Sequence, residues 1–333
     1  MPGPVRISVD GMGGDFAPQN IVSGCVQAVS EYEVQVILVG IESRIKEEMA
    51  KHSIPQGRIE VVDATEIVAM NDQATVAVRR KKNSSMRVTV DIASRGEADG
   101  IISAGNTGAM YATVKLAVGA IPGVDRLPLA TFVPHPKGRS IVLDVGANVD
   151  CKPDHLLEFA LMGSVYAEEV LSIPSPKVGL LNIGEEEQKG NDLTKETFPL
   201  LKNSGLNFVG NIDGYGLFAG MADVVVCDGF IGNVALKSSE SLVETILHVL
   251  EKEIEEQPRI ASLLTKYFDY SEYGGAPLLG ARIPSFICHG RSSSKAIKNA
   301  IRVAVEFCRN NVNERIHKKL ERNHSGHSPG LTQ

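Results

Sequence analysis

The chain has 333 residues, 43% hydrophobic and 22% charged, enough to bury the core of one large soluble α/β domain or of two closely joined ones. Its formal net charge of −6 excludes a general binder of the nucleic-acid backbone, which needs a basic surface. The cysteines Cys25, Cys151, Cys227, Cys288 and Cys308 share no metal-ligand spacing, so unpaired thiols in a reducing cytoplasm are expected in place of a disulfide framework.

The alternation Val5-Arg6-Ile7-Ser8-Val9 predicts a first strand ending at Asp10, with no signal-peptide pattern before it. A helical stretch follows Pro18, then a strand over Val34–Val39, a helix over Glu42–Lys51 and a strand near Arg58–Val62. Residues 75–95 read as helix interrupted at Asn83-Ser84-Ser85, which can cap a second helix from about Met86. Ala98–Ser103 reads as a buried strand leading into a helix after Asn106, and Leu127–Pro134 and Arg139–Asp144 as a hairpin turned at His135-Pro136-Lys137-Gly138. A long helix after Pro153 precedes a strand over Val178–Ile183 and a helix near Leu193–Lys202. Strands near Leu206–Val209 and Asp223–Cys227 follow, then a long helix from Gly232 to about Glu256. A last strand over Ser285–His289 precedes a closing helix over about Ser293–Arg309.

This alternation predicts an α/β fold, a three-layer sandwich with a mainly parallel sheet covered on both faces. The α/β domain is expected over 1–312, either undivided or as two lobes sharing a cleft, with 313–333 a disordered polar tail. No run reaches the roughly 18–20 apolar residues of a spanning helix, so a cytoplasmic protein is expected, with contact at a membrane surface left open.

One local pattern recurs five times: an apolar run ends in a glycine-rich turn carrying Asp, Asn, Ser or Thr. The turns are D-G-M-G-G-D at 10–15, S-A-G-N-T-G at 103–108, D-V-G-A-N at 144–148, N-I-G-E-E at 182–186 and D-G-F-I-G-N at 228–233. Each alone could be a tight connection, but five at compatible strand ends favour one shared ligand site. Backbone N–H groups at such turns, with helix N-termini behind them, suit a phosphate. Asp10, Asp15, Asp144 and Asp228 could form a metal cluster or cap and pin their turns; the second is favoured, and no metal site is assigned. There is no G-x-x-x-x-G-K-[ST], no G-x-G-x-x-G because position 16 is Phe, and no G-x-S-x-G, which disfavours nucleotide hydrolase, dinucleotide and serine hydrolase readings.

Arg79, Arg80, Lys81 and Lys82, with Arg87 nearby, form the only dense basic run; a solvated helix face competes with capture of a phosphate or an acidic partner. Lys189, in a polar stretch after a strand, could place a point charge on a phosphate or oxyanion. His289, before Gly290 and a serine-rich helix start, is either functional or a hydrogen-bonded structural residue. Ile260, Leu263, Leu264, Tyr267 and Phe268 make an amphipathic stripe, destined for a dimer interface, the core or a lipid surface. His317, His324 and His327 are read as part of the tail, not as metal ligands.

In order, these blocks resemble the PlsX-type phosphate acyltransferases of bacterial phospholipid synthesis. The matching stretches are D-G-M-G-G-D-F-A-P at 10–18, R-R-K-K-N-S-S-M at 79–86, S-A-G-N-T-G-A at 103–109, L-D-V-G-A-N-V-D at 143–150 and M-G-S-V-Y at 162–166. G-L-L-N-I-G-E-E at 179–186, K-G-N at 189–191, D-G-F-I-G-N at 228–233, Y-G-G-A at 273–276 and H-G at 289–290 complete them. The likeness spans about residues 5–310; the chain departs from it at His135–Arg139 and at Arg291–Ser294.

The resemblance implies the isopropylmalate dehydrogenase and phosphotransacetylase architecture, and transfer of a fatty acyl group from acyl-[acyl-carrier protein] to inorganic phosphate. It also implies a homodimer with loose membrane association feeding a membrane acyltransferase, and it implies no cofactor. Phosphate is then the nucleophile, and a thiolate of free pKa about 8.5 a tolerable leaving group. Catalytic candidates are Lys189, Asn233 and His289. Substrate-binding candidates are Asp10, Gly13, Gly14, Ser103, Gly105, Asn106, Thr107, Gly108, Asp144, Gly146, Asn148, Asn182, Gly184, Asp228, Gly229 and Gly232. Because carrier proteins are acidic, Arg79–Lys82 and Arg87 are a docking candidate, as are the basic side chains of 291–302. Rival readings are a phosphotransacetylase-like enzyme acting on acyl-CoA and a non-catalytic carrier-protein scaffold.

Overall fold

The computed structural model describes residues 3–253 and 274–326. The amphipathic stripe at Ile260–Phe268 and the Y-G-G-A block's Tyr273 lie outside them. The chain divides into two compact units, Met1–Leu127 with Ser271–Lys318, and Pro128–Tyr270 with Lys319–Gln333.

In chain order the first unit forms β1 (Val5–Asp10), α1 (Gln19–Glu31), β2 (Val34–Gly40), α2 (Glu42–Met49), β3 (Ile59–Asp63), α3 (Ala74–Arg80), α4 (Ser85–Ser94), β4 (Gly100–Ser103) and α5 (Thr107–Ala117). The second contributes β5 (Ala130–His135), β6 (Gly138–Leu143), α6 (Pro153–Glu169), β7 (Val178–Leu181), α7 (Asp192–Lys202), β8 (Phe208–Ile212), α8 (Gly214–Ala219), β9 (Val224–Val226) and α9 (Gly229–Glu253). The chain then returns through β10 (Ala276–Pro277), β11 (Ser285–Ile287) and α10 (Ser294–Arg309) to α11 (Val312–Gly326).

Each unit has its own sheet, where one had been expected. The first runs β10-β11-β4-β1-β2-β3, parallel except for β10; the second runs β5-β6-β9-β7-β8, parallel except for β5. The parallel strands are short continuous apolar runs, Val-Ile-Leu-Val in β2 and Val-Val-Val in β9, buried on both faces as such sheets require. In unit 1, α1 and α10 pack together on the sheet, α4 also packs against β1 and β2, and Phe286 meets Phe307 edge to face at 5.8 Å. In unit 2, α6 covers β6 and β9 and buries Phe159, Met162 and Tyr166.

Ser84 caps α4 by accepting the Arg87 N–H at 3.3 Å, so the interruption at 83–85 is the helix start anticipated there. The turn at 135–138 joins an antiparallel hairpin. Two local expectations are corrected. β8 starts at Phe208, two residues late, because Leu206 and Asn207 form its approach turn. Residues 313–326 are helical, where a disordered tail had been expected. Val312, Ile316 and Leu320 fall at i, i+4 and i+8 and are at most 1% exposed, a narrow apolar stripe inside a very polar sequence. Among the described residues, no helix is long and apolar enough to cross a membrane.

Candidate active site

In unit 1, β11, β4 and β1 are consecutive parallel neighbours, so the loops after their carboxyl ends lie side by side on one edge. Asp10, closing β1, is buried. Its Oδ1 accepts the Met12 N–H at 3.2 Å, and its Oδ2 accepts the Ser103 hydroxyl at 2.7 Å. Ser103 Oγ in turn accepts the Gly105 N–H at 3.1 Å, so one buried relay shapes the first two turns. Burial pushes the Asp10 carboxyl above the usual range, and hydrogen bonds from Ser85, Ser103, Met12 and Gly13 partly offset that.

The third loop joins through Gly290, whose carbonyl accepts the Asp15 N–H at 2.7 Å. Gly14 has φ +99°, and a Cβ there would stand 2.8 Å from that carbonyl, so the close approach needs glycine. Asn106 caps α5 by accepting the Ala109 N–H at 2.9 Å. Its amide donates to the carbonyls of Met70 and Asp72 at 2.9 and 3.1 Å, lashing the 70–72 segment to the turn. Thr107 and Gly108 are exposed. His289 is exposed too, and its Nδ1 accepts the Arg291 N–H at 3.2 Å, which leaves the neutral ring's proton on Nε2.

In unit 2, β6, β9 and β7 are likewise consecutive and parallel. Asp144 is fully buried, and its carboxylate accepts five N–H bonds. Four are backbone, from Leu129, Gly146, Ala147 and Asn148 at 2.6–3.2 Å; the fifth is from the Asn148 amide at 2.8 Å. Burial raises this carboxyl as well, against the lowering effect of those donors. Asp228 Oδ1 accepts the Phe230 and Ile231 N–H groups at 2.9 and 3.0 Å and so caps α9. Gly229 donates its N–H to the Asn148 carbonyl at 2.8 Å, and Gly232 passes so close to the Asp144 carbonyl that a Cβ would collide with it. Asn233 is exposed beside Gly146.

The adjoining loop is held by Asn182, which accepts the Ile183 N–H at 2.8 Å and donates to the Lys189 carbonyl at 3.0 Å. Gly184 lies beside the Lys189 stem, and the Lys189 side chain is exposed. Unit 1 thus brings together Asp10, Gly13, Gly14, Ser103, Gly105, Asn106 and the His289–Gly290 turn. Unit 2 brings together Asp144, Gly146, Asn148, Asp228, Gly229, Gly232 and Asn233, with Asn182, Gly184 and Lys189 on the next loop. Asp10, Asp144 and Asp228 act as pins and caps; among the described residues, no group of three or more His, Cys, Asp or Glu is placed to hold a metal.

The basic run is divided. Lys81 donates to Asp72 and to the Ile67 carbonyl at 2.5 and 2.8 Å, and Arg87 pairs with Asp91 at 2.8 Å. Arg79, Arg80 and Lys82 are exposed, with no carboxylate partner among the described residues. Two contributors escaped sequence reasoning. Asn191 caps α7 by accepting the Thr194 N–H at 3.0 Å, and its signal lay in the K-G-N block. The 70–72 lashing had no signal, because it runs through backbone carbonyls.

A family model described as "Fatty acid synthesis protein" matches residues 5–315. The chain belongs to this family, which is that of the PlsX-type acyltransferases. Among its relatives, the phosphate acyltransferase of Thermodesulfovibrio yellowstonii is 49% identical over 327 residues, covering 95% of this chain and 94% of the relative. That of Geotalea uraniireducens is 48% identical, covering 96% and 95%. The family member described here is an acyltransferase. Its fold resembles a phosphotransacetylase from Streptococcus pyogenes with a TM-score of 0.65, over 92% of this chain and 94% of that one, at 16% identity. That likeness bears on architecture alone.

Proposed function

We propose that the protein transfers a fatty acyl group from acyl-[acyl-carrier protein] to inorganic phosphate, supplying acyl-phosphate for phospholipid synthesis. The observation that carries this reading is the near half identity to phosphate acyltransferases along almost the whole chain. The thiol chemistry agrees with it: burial pushes Cys227 well up and Cys288 up to about 12, so these two thiols stay protonated and are poor nucleophiles.

Hydrogen phosphate itself is the attacking group. One of its oxygens bonds to the thioester carbonyl carbon, the C–S bond breaks, and the phosphate's proton ends on the departing carrier thiolate. The chain's task is to position phosphate and to stabilise the tetrahedral oxyanion. Glycine-turn N–H groups serve the first need; Lys189 and Asn233 supply charge and hydrogen bonds to phosphate or oxyanion. His289, whose Nδ1 accepts the Arg291 N–H, is the remaining candidate.

Arg79, Arg80 and Lys82 are the cations offered to the acidic carrier protein. On α9, Leu242, Ile246 and Val249 are 60%, 43% and 51% exposed at i, i+4 and i+7, a stripe suited to a second copy of the chain. Purified protein with phosphate and long-chain acyl-carrier protein should form acyl-phosphate, trapped as the hydroxamate. Turnover confined to acyl-CoA would favour a phosphotransacetylase-like enzyme, and none with either donor would favour a scaffold.

A further inference from the structure

Unit 2 holds a cavity of about 140 Å³ at the carboxyl ends of β7 and β9. Leu156, Leu181, Cys227 and Ile231 form much of its wall, and Asn191 and Asp228 stand at helix starts on its rim. Two features decide what it could take. Among the described residues no Lys, Arg or His lines it, and the N–H groups of Thr194, Phe230 and Ile231 at those helix starts are already taken by Asn191 and Asp228. An anion would meet the Asp228 carboxylate with no described cation beside it, which favours an apolar occupant over phosphate. Ile183 lines it too, and with side chains 81% and 42% exposed Ile183 and Ile231 stand at its open side, while Leu156 is buried.

We propose that this cavity receives a segment of the donor's acyl chain, with Ile231 and Ile183 the residues that set its preferred length. The inference rests on the acyl-transfer reading above. Apolar walls with exposed aliphatics at the mouth are what a hydrocarbon chain would cover. At about 140 Å³, against roughly 300–1,000 Å³ for a whole small-molecule pocket, it holds part of a long chain, not all of it. Cys227, kept protonated by burial, adds a small apolar wall.

Ile231→Phe and Ile183→Phe enlarge partly exposed side chains and so spare the core. Each should lower the ratio of kcat/KM for hexadecanoyl- over butanoyl-carrier protein. About fourfold is expected per methylene excluded, or on the order of fifteenfold for two. A binding readout independent of turnover comes from the absence of tryptophan in this chain. Ile183→Trp should show a blue-shifted emission with dodecanoyl-pantetheine and none with acetyl-pantetheine. Unchanged selectivity in both Phe variants, or identical emission with both probes, would overturn the assignment. Wild-type protein making no acyl-phosphate from any donor would instead sink the acyl-transfer reading, and a chain-dependent emission shift would still be readable in that case.

Discussion

Ser103, at the end of β4, donates its hydroxyl to Asp10, at the end of the neighbouring β1, across 2.7 Å in a buried setting. The pair joins two strand ends 93 positions apart and sets the shape of both glycine turns. Its charge state carries a pH signature. The folded carboxyl's pKa is raised above the unfolded value of about 3.8. The native state therefore binds the proton more tightly, and stability falls as pH rises through that window. The stability of wild type relative to Asp10→Asn should therefore increase as pH is lowered from 7 towards 4. Paired thermal melts test this; a constant gap would show that Asp10 does not titrate with a raised pKa.

Asp144 has a different role, since its five donors all belong to the chain around it. Asp144→Ala strands several buried N–H groups and should cost about 3 kcal/mol or more in urea unfolding. A loss under 1 kcal/mol would mean that the loop holds its shape without the carboxylate.

The Lys189 side chain is exposed, while its backbone carbonyl, bound by Asn182, survives truncation. Lys189→Ala should reduce kcat for acyl-phosphate formation about 100-fold, with a melting temperature near wild type. Near-normal turnover would remove Lys189 from the mechanism.

Carrier docking through Arg79, Arg80 and Lys82 predicts a KM for acyl-carrier protein that climbs with salt. The double variant Arg79→Glu/Arg80→Glu should raise KM on the order of tenfold at low salt and leave kcat nearly unchanged. A KM indifferent to both salt and charge reversal would place docking elsewhere.

Gly232→Ala puts a methyl group into the Asp144 carbonyl and should abolish folded, soluble protein or lower its melting temperature by more than about 5 °C. Gly214→Ala, at the start of α8 with no atom of the described residues within 4 Å of the added Cβ, is the control and should be neutral or slightly stabilising. Equal effects would show that crowding at Gly232 is relieved by local movement.

Much of this was legible in the residues. Continuous apolar runs marked the parallel strands, Ser84 marked the cap of α4, and the glycine turns stood at strand ends. The split into two sheets was not legible, because it depends on which distant strands pair: β11 beside β4, and β9 between β6 and β7. The helix at 312–326 was missed because its buried face is only one residue wide per turn. The motifs located the turns but not the internal duties of their acids. A carboxylate that binds a ligand and one that pins its own loop look the same until the donors around it are known.

The pairing of β11 with β4, and of α10 with α1, also bears on how the chain is made. Unit 1 begins with the first strand synthesised and needs one of the last, so the face of α1 that meets α10 stays uncovered while residues 128–270, most of unit 2, are being translated. A ribosome stalled before residue 276 would hold a chain whose second sheet has all its strands while the first still lacks two neighbouring strands and a covering helix. Such an intermediate is a natural client for chaperones, and β11 and α10, among the last segments made and the carriers of the His289–Gly290 turn between them, decide whether the first sheet is completed.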